Sequence, residues 1–256
     1  MLNIHPLWGT SCVQGSCLAG RLNALAVLTN GEQAALARIE ERTRTLRRGA
    51  TLQREHDAVA ECYIACRGTL MSSVLLDDGS RQILAFLYPG DLVAFPNLVY
   101  RAAPETVSAL TDAVVAPLDR PTFAGLLQDH PRLVALMLAS QQIERVELTD
   151  RLAAVGRTSA KARVGALLLE IRNRLRVLDG TGVKSFSLGL TQEEIGDATG
   201  LTAVHVNRML RQLEEEGMIA REAGRLTILD ERALQRAANY SDRRAGLELD
   251  WLPQGR

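Results

Sequence analysis

The stretch Thr191–Gly217, TQEEIGDATGLTAVHVNRMLRQLEEEG, decides the fold. Thr191 followed three residues later by Glu194 makes a capping box that opens a helix running through Ile195 to about Thr199. Gly200 can enter the left-handed region and end that helix. Thr202 caps a second helix, in which Val206, Met209, Leu210 and Leu213 share one apolar face before Gly217 closes it. Gly196 stands where the two helices cross and only a small side chain leaves room. Ile195, Leu201 and Val206 are the expected buried positions. The pattern predicts a helix-turn-helix, whose second helix enters a DNA major groove with its N-terminal residues at the base edges. The expected contacts are Thr202, Ala203, Val204, His205, Asn207, Arg208 and Arg211, with Thr191 and Gln192 at the start of the first helix. The competing reading is a helical hairpin buried in an ordinary core.

Outward from this unit, MIAREAGRLTILD reads as a two-stranded wing turning near Ala223–Gly224. The tail from Glu231 to Arg256 is expected to be partly helical and then irregular, with Trp251 tucked against the body. On the other side, Ala160–Val177 is an amphipathic helix with Val164, Leu167, Leu168 and Ile171 inward. Leu133–Val155 contains neither Gly nor Pro. Its Leu136, Ala139, Ile143 and Val146 form a heptad-like stripe, read as the seam with a second copy of the chain. Gly156 is the expected hinge. From Thr51 to Leu118 the pattern is β. LMSSVLL, RQILAFLY and DLVAF are short and rich in branched and aromatic residues, and Asp78–Gly79 and Pro89–Gly90–Asp91 mark turns. In QILAFLY, Ile83, Ala85 and Leu87 alternate with Leu84, Phe86 and Tyr88, so both faces are apolar. Residues 1–30 read as a Gly/Ser-containing arm, followed by a short helix from Asn30 or Gly31 with Leu36 and Ile39 inward.

The expected organisation is α+β: an arm over 1–30, an antiparallel β-roll over 31–120, a long dimerisation helix over 121–156, a winged helix-turn-helix over 157–235 and a tail over 236–256. A chain of 256 residues suits about two domains. Net charge is zero, so the overall balance does not point to nucleic acid. Arg157–Arg244 nevertheless carries 15 Lys+Arg against 12 Asp+Glu, a mild basic bias. No apolar run approaches the length of a membrane span, and the N-terminus lacks a secretory pattern. A cytoplasmic location without membrane contact is expected. Cys12, Cys17, Cys62 and Cys66 should then be reduced.

The order of barrel, long helix and winged helix-turn-helix resembles the CRP/FNR family of bacterial transcription regulators. The resemblance spans about residues 31–235. It rests on the spaced glycines Gly68, Gly79 and Gly90, the Gly90–Asp91–Leu92–Val93 turn and Thr191–Gly217. It implies a cyclic-nucleotide-binding-like roll and a homodimer on a palindromic double-stranded DNA site, with RNA polymerase as a further partner. Nucleotide-binding members carry a Gly-Glu pair and then an Arg-Ser or Arg-Thr pair. Here those places read Ala94–Phe95–Pro96 and Pro104–Glu105–Thr106, and a Glu in place of the phosphate-binding Arg is repulsive. Cyclic AMP is therefore not expected in the family manner. The oxygen-sensing branch holds an iron–sulfur cluster on four cysteines. Cys12, Cys17, Cys62 and Cys66 could supply four thiolates, although the arm has two cysteines where that pattern needs three. The competing reading makes Cys62 and Cys66 small core hydrophobes and the arm pair incidental. In the second helix, members often carry Glu, then Ser or Gly, then Arg where this chain has Val204, Asn207 and Arg208. Arg208 is suited to guanine, while Val204 offers only contact with a thymine methyl.

Two functional readings follow. The first is a homodimeric, sequence-specific regulator whose signal enters through the roll or the arm. The second is an iron–sulfur or thiol-based redox sensor using the four cysteines. No nucleophile elbow, P-loop or dinucleotide fingerprint suggests an enzyme, and the cofactor is left open.

Overall fold

A computed structural model describes residues 15–179 and 184–253. They fall into two compact units, one of residues 15–74, 86–141 and 248–253, the other of residues 75–85, 142–179 and 184–247.

The first unit begins with α1 (Cys17–Asn23) and α2 (Asn30–Ile39). Thr29 and Glu32 form a capping box at the start of α2. The strands are β1 (Arg44–Leu46), β2 (Thr51–Gln53), β3 (Glu61–Arg67), β4 (Leu70–Leu75), β5 (Arg81–Leu87), β6 (Leu92–Val93), β7 (Thr106–Ala109) and β8 (Ala113–Asp119). They make two four-stranded sheets, β1-β8-β3-β6 and β2-β7-β4-β5. This is the expected roll. Its core joins Ile64, Leu92, Ala116 and Leu118 of the strands to Leu18, Leu22 and Leu36 of α1 and α2. Gly90 has φ +88°, and a Cβ there would meet the Cys17 carbonyl oxygen at 2.8 Å, so both its backbone and its neighbour require glycine.

The stretch read as an arm thus contains a packed helix. Seven residues cannot hold a helix alone. The α1 N-terminus is held by the buried Glu40 carboxylate, which accepts from the Ser16 hydroxyl at 2.5 Å, the Cys17 amide at 2.8 Å and the Leu18 amide at 3.1 Å. Its partner lies 22 to 24 residues away, which no local pattern reveals. Trp251, expected to tuck in, is 70% exposed; its neighbour Leu252 fills the core instead.

After α3 (Arg120–Asp129) the chain enters α4 (Pro131–Arg157), 27 residues long. Leu133, Leu136 and Met137 are fully buried in the first unit's core, and Ile143 is also buried. The predicted intermolecular stripe is therefore corrected. Leu136 and Ile143 face their own chain, Ala139 is half-buried, and of the four only Val146 is exposed. Periodicity identified an apolar face but not the body it covers. A different row of α4 lies open: Leu138, Leu148, Leu152 and Val155. The expected hinge also moves, since Gly156 is helical and the break falls at Thr158–Ser159.

In the second unit, α5 (Ala160–Asp179) packs against α6 (Gln192–Thr199), α7 (Ala203–Glu215) and α8 (Glu231–Ala238). Its core holds Val164, Leu168, Ile195, Val206, Leu210, Leu213 and Leu234. The expected wing is β10 (Ile219–Glu222) paired antiparallel with β11 (Arg225–Ile228). β9 (Ser185–Ser187) adds a third strand through Leu226↔Phe186, which the sequence reading missed.

Candidate nucleic-acid interface

The geometry of α6 and α7 follows residue by residue from their local chemistry. Thr191 caps α6, with the reciprocal Glu194 bond present at 2.7 Å. Gly200 ends it at φ +66°. A Cβ on Gly196 would lie 2.4 Å from the Leu201 carbonyl oxygen, so the helices cross there only because the side chain is absent. Thr202 caps α7, accepting from the His205 amide at 3.3 Å.

The buried stripe Val206, Met209, Leu210 and Leu213 seats α7 on α5 and α6. The opposite face is open. Val204 is 82% exposed, and Thr202, Arg208 and Arg211 are exposed, while Ala203, His205 and Asn207 are half-exposed. Thr191 and Gln192 are exposed at the start of α6. All nine predicted residues are thus at least partly open to solvent. Arg208 Nη2 lies 2.9 Å from His205 Nε2. A guanidinium can only donate, so Nε2 accepts and the ring proton sits on Nδ1. This contact braces Arg208 and leaves the rest of its donor fork free.

The electrostatics favour an anionic surface at this end. The first-turn amides of α7 supply partial positive charge, and Arg208 and Arg211 add full charges. Two of the three glutamates at the C-terminal end are paired with basic side chains. Arg221 holds the Glu214 carboxyl below its ordinary value, and Lys161, 2.8 Å from Glu216, does the same there. The wing contributes Arg225, exposed and anchored on the Ser185 carbonyl at 2.7 Å. The signal for it was the alternation Arg225, Leu226, Thr227, Ile228, in which Leu226 and Ile228 point inward.

Three of the four cysteines lie among the described residues. Among the described residues, no three His, Cys, Asp or Glu side chains gather at metal-binding distance. Cys17 is disulfide-bonded, which corrects the expectation of a reduced thiol; Cys12 lies outside the described residues. Cys17 Sγ sits 3.1 Å from the Cys66 carbonyl oxygen, a contact only, since a disulfide sulfur carries no hydrogen. Cys62 and Cys66 are free; Cys62 belongs to the roll core and Cys66 packs against it, partly buried. Burial pushes both thiols up to about 12, with Glu40 adding to the effect at Cys66. Neither supplies a thiolate near neutral pH.

The two stretches that depart from the nucleotide-binding pattern are ordered parts of the roll. Ala94–Phe95–Pro96 forms a tight turn with Ala94 at φ +54° leading into a 3-10 segment over Phe95–Leu98. Asn97 is fully buried and bridges Gln53 Oε1 at 2.7 Å and the Glu61 carbonyl at 2.9 Å. Glu105 takes a hydrogen bond from Ser72, and burial raises its carboxyl above the ordinary range. A carboxylate with a hydroxyl partner offers no countercharge to a phosphate.

Comparison with known proteins agrees with this geometry. Residues 162–237 match the Crp-like helix-turn-helix domain, and residues 43–130 the cyclic nucleotide-binding domain. The chain is 31% identical over 182 residues to the nitrogen fixation regulation protein FixK of Azorhizobium caulinodans, covering 70% of this chain and 72% of the relative. It is 26% identical over 225 residues to the fumarate and nitrate reduction regulatory protein of Escherichia coli, covering 88% and 90%. Among solved structures, FixK2 from Bradyrhizobium japonicum superposes with a TM-score of 0.69 at 25% identity, over 78% of this chain and 98% of that one. A CooA mutant from Carboxydothermus hydrogenoformans shares the fold at a TM-score of 0.68 and 18% identity, over 90% and 99%.

Proposed function

The chain belongs to the CRP/FNR family of transcription regulators, a DNA-binding class, and on that footing we propose that it works as a homodimer on a two-fold symmetric site. The observation that carries this reading is the face of α7. A helix whose buried stripe is complete presents capped amides, two arginines and a bare Val204 at one accessible end. Arg208 reads a guanine edge, Val204 packs on a thymine methyl, and Asn207 and His205 supply the remaining polar contacts. Thr191 and Gln192 meet the phosphates beside them.

The exposed row of α4 supports the dimer. Leu138 and Leu152 are two heptads apart, and Leu148 and Val155 one heptad apart on the interleaved position, the spacing of a coiled-coil seam. Two recognition helices held by such a seam match half-sites about 10 base pairs apart. The signal is not cyclic AMP held in the family manner, and regulation acts on RNA polymerase at a promoter in the cytoplasm. Among the described residues no helix is long and apolar enough to cross a membrane. Selection of bound duplexes from a random pool tests the reading. A palindrome with a guanine in each half-site, lost from the selected set when Arg208→Ala is used, is the expected result. A pool with no shared sequence overturns it.

A further inference from the structure

The second unit contains a cavity of about 440 Å³ that the DNA-reading face does not use. It lies among the C-terminal half of α4, α5, the last turn of α6 and the segment after α8. Ala154, Ala166, Leu167 and Ala238 give it apolar walls, and Tyr240 borders it. Five arginines reach it against four carboxylates, counting Arg151, Arg157, Arg163, Arg243 and Arg244 against Glu147, Asp150, Glu170 and Asp242. Three of the arginines are matched. Arg243 sits on Asp150 at 2.9 Å, Arg244 on Glu147 at 3.1 Å, and Arg151 on Glu170. Asp242 is occupied by the Arg244 amide at 3.0 Å.

Arg163 has no carboxylate. Its guanidinium is half-buried, and among the described residues its one acceptor is the Thr199 carbonyl, 2.8 Å from Nη1. Its Nε is buried without an acceptor, and Nη2 has none either. A guanidinium with its Nε shut from water and one neutral carbonyl as its protein acceptor is under-compensated. Arg157, exposed at the rim, adds a second unmatched charge.

We infer that this cavity is a regulatory site for a small organic anion, a carboxylate or phosphate on a compact apolar body, with Arg163 as its anchor. The Thr199 carbonyl belongs to the last turn of α6, directly before the Gly200 turn that sets α7. An anion drawn to the Nε and Nη2 edge shifts the guanidinium whose Nη1 holds that carbonyl. It thereby changes how the end of α6 is held, and with it the presentation of Arg208. Coupling to DNA rests on the DNA-binding reading above; binding of the anion does not.

The test uses the full chain, with inorganic phosphate and benzoate as probes in calorimetric titrations at constant ionic strength. DNA affinity is measured by fluorescence anisotropy with and without probe. Saturable binding of at least one probe is expected. It should weaken about tenfold or more in Arg163→Gln, as for loss of a charged hydrogen bond. Ala166→Phe, which fills the cavity and keeps every charge, should abolish it. The bound probe should shift wild-type DNA affinity about fivefold or more and leave that of Ala166→Phe unmoved. Benzoate alone binding identifies a carboxylate site, and phosphate alone a phosphate site. No saturable binding, or binding unchanged in a folded Ala166→Phe, overturns the site. Saturable binding with no shift in DNA affinity overturns its regulatory role. DNA affinity without probe reports separately on the DNA-binding reading.

Discussion

Gly196→Ala is the sharpest test of how the DNA-reading unit is built. The added Cβ would stand 2.4 Å from the Leu201 carbonyl oxygen, about 0.6 Å inside the closest approach of roughly 3 Å that real Cβ atoms make. The obstacle is backbone, at the turn that leads into α7, so it cannot swing aside as a side-chain tip would. Overpacking of this kind costs about 1–3 kcal/mol. Alanine returns at most about 1 kcal/mol through its better helix propensity. The net expectation is a loss of about 1–2 kcal/mol, with α7 displaced by several tenths of an ångström. Gly125→Ala is the control. It is also helical, in α3, but its Cβ would meet nothing within 4 Å, so the propensity gain of about 0.5–1 kcal/mol stands alone. Urea unfolding followed by circular dichroism reads both changes, and anisotropy reads DNA affinity. Opposite signs are expected in stability, with DNA affinity reduced only in Gly196→Ala. Equal stabilisation by both substitutions would refute the crossing argument.

Arg208→Ala should cost about 1–3 kcal/mol of binding free energy and relax specificity at one base pair of each half-site, read by competition among single-base variants. Leu152→Glu alters a side chain that is 74% exposed, so the fold should survive while the dimer dissociates in sedimentation velocity runs. Ala223 sits at φ +49° in the wing turn, so Ala223→Gly should raise the stability of the second unit by about 1 kcal/mol in thermal melts. Arg172 pairs with Glu231 at 2.6 Å and holds its carboxyl below its ordinary value. The stability from this pair is full above that value and fades as pH falls through the folded one. Glu231→Gln should therefore flatten the acid side of the stability profile and leave its slope near neutral pH unchanged.

What could be read from the sequence was what local chemistry determines. The capping threonines Thr191 and Thr202, the turn at Gly200 and the stripe Val206–Leu213 each act within a few residues, so their pattern survives in one dimension. The roll was legible through its turns, as at Asp78–Gly79, where the Leu76 amide closes on the Ser80 carbonyl at 2.8 Å. The misreadings share a cause in distant partners. α1 depends on Glu40, and β9 exists only because Phe186 finds Leu226. Leu136 looked like a seam residue because an apolar stripe covers a roll or a second helix equally well. The cavity at Arg163 was invisible, since Thr199 and the segment after α8 come together only in the fold.

Hydroxyl-radical footprinting on a selected duplex tests the central claim most directly. The account predicts two protected patches on one face, about 10 base pairs apart and related by two-fold symmetry, with Arg208→Ala weakening both together. A single patch, or protection that leaves the selected sequence no better covered than its flanks, would contradict it.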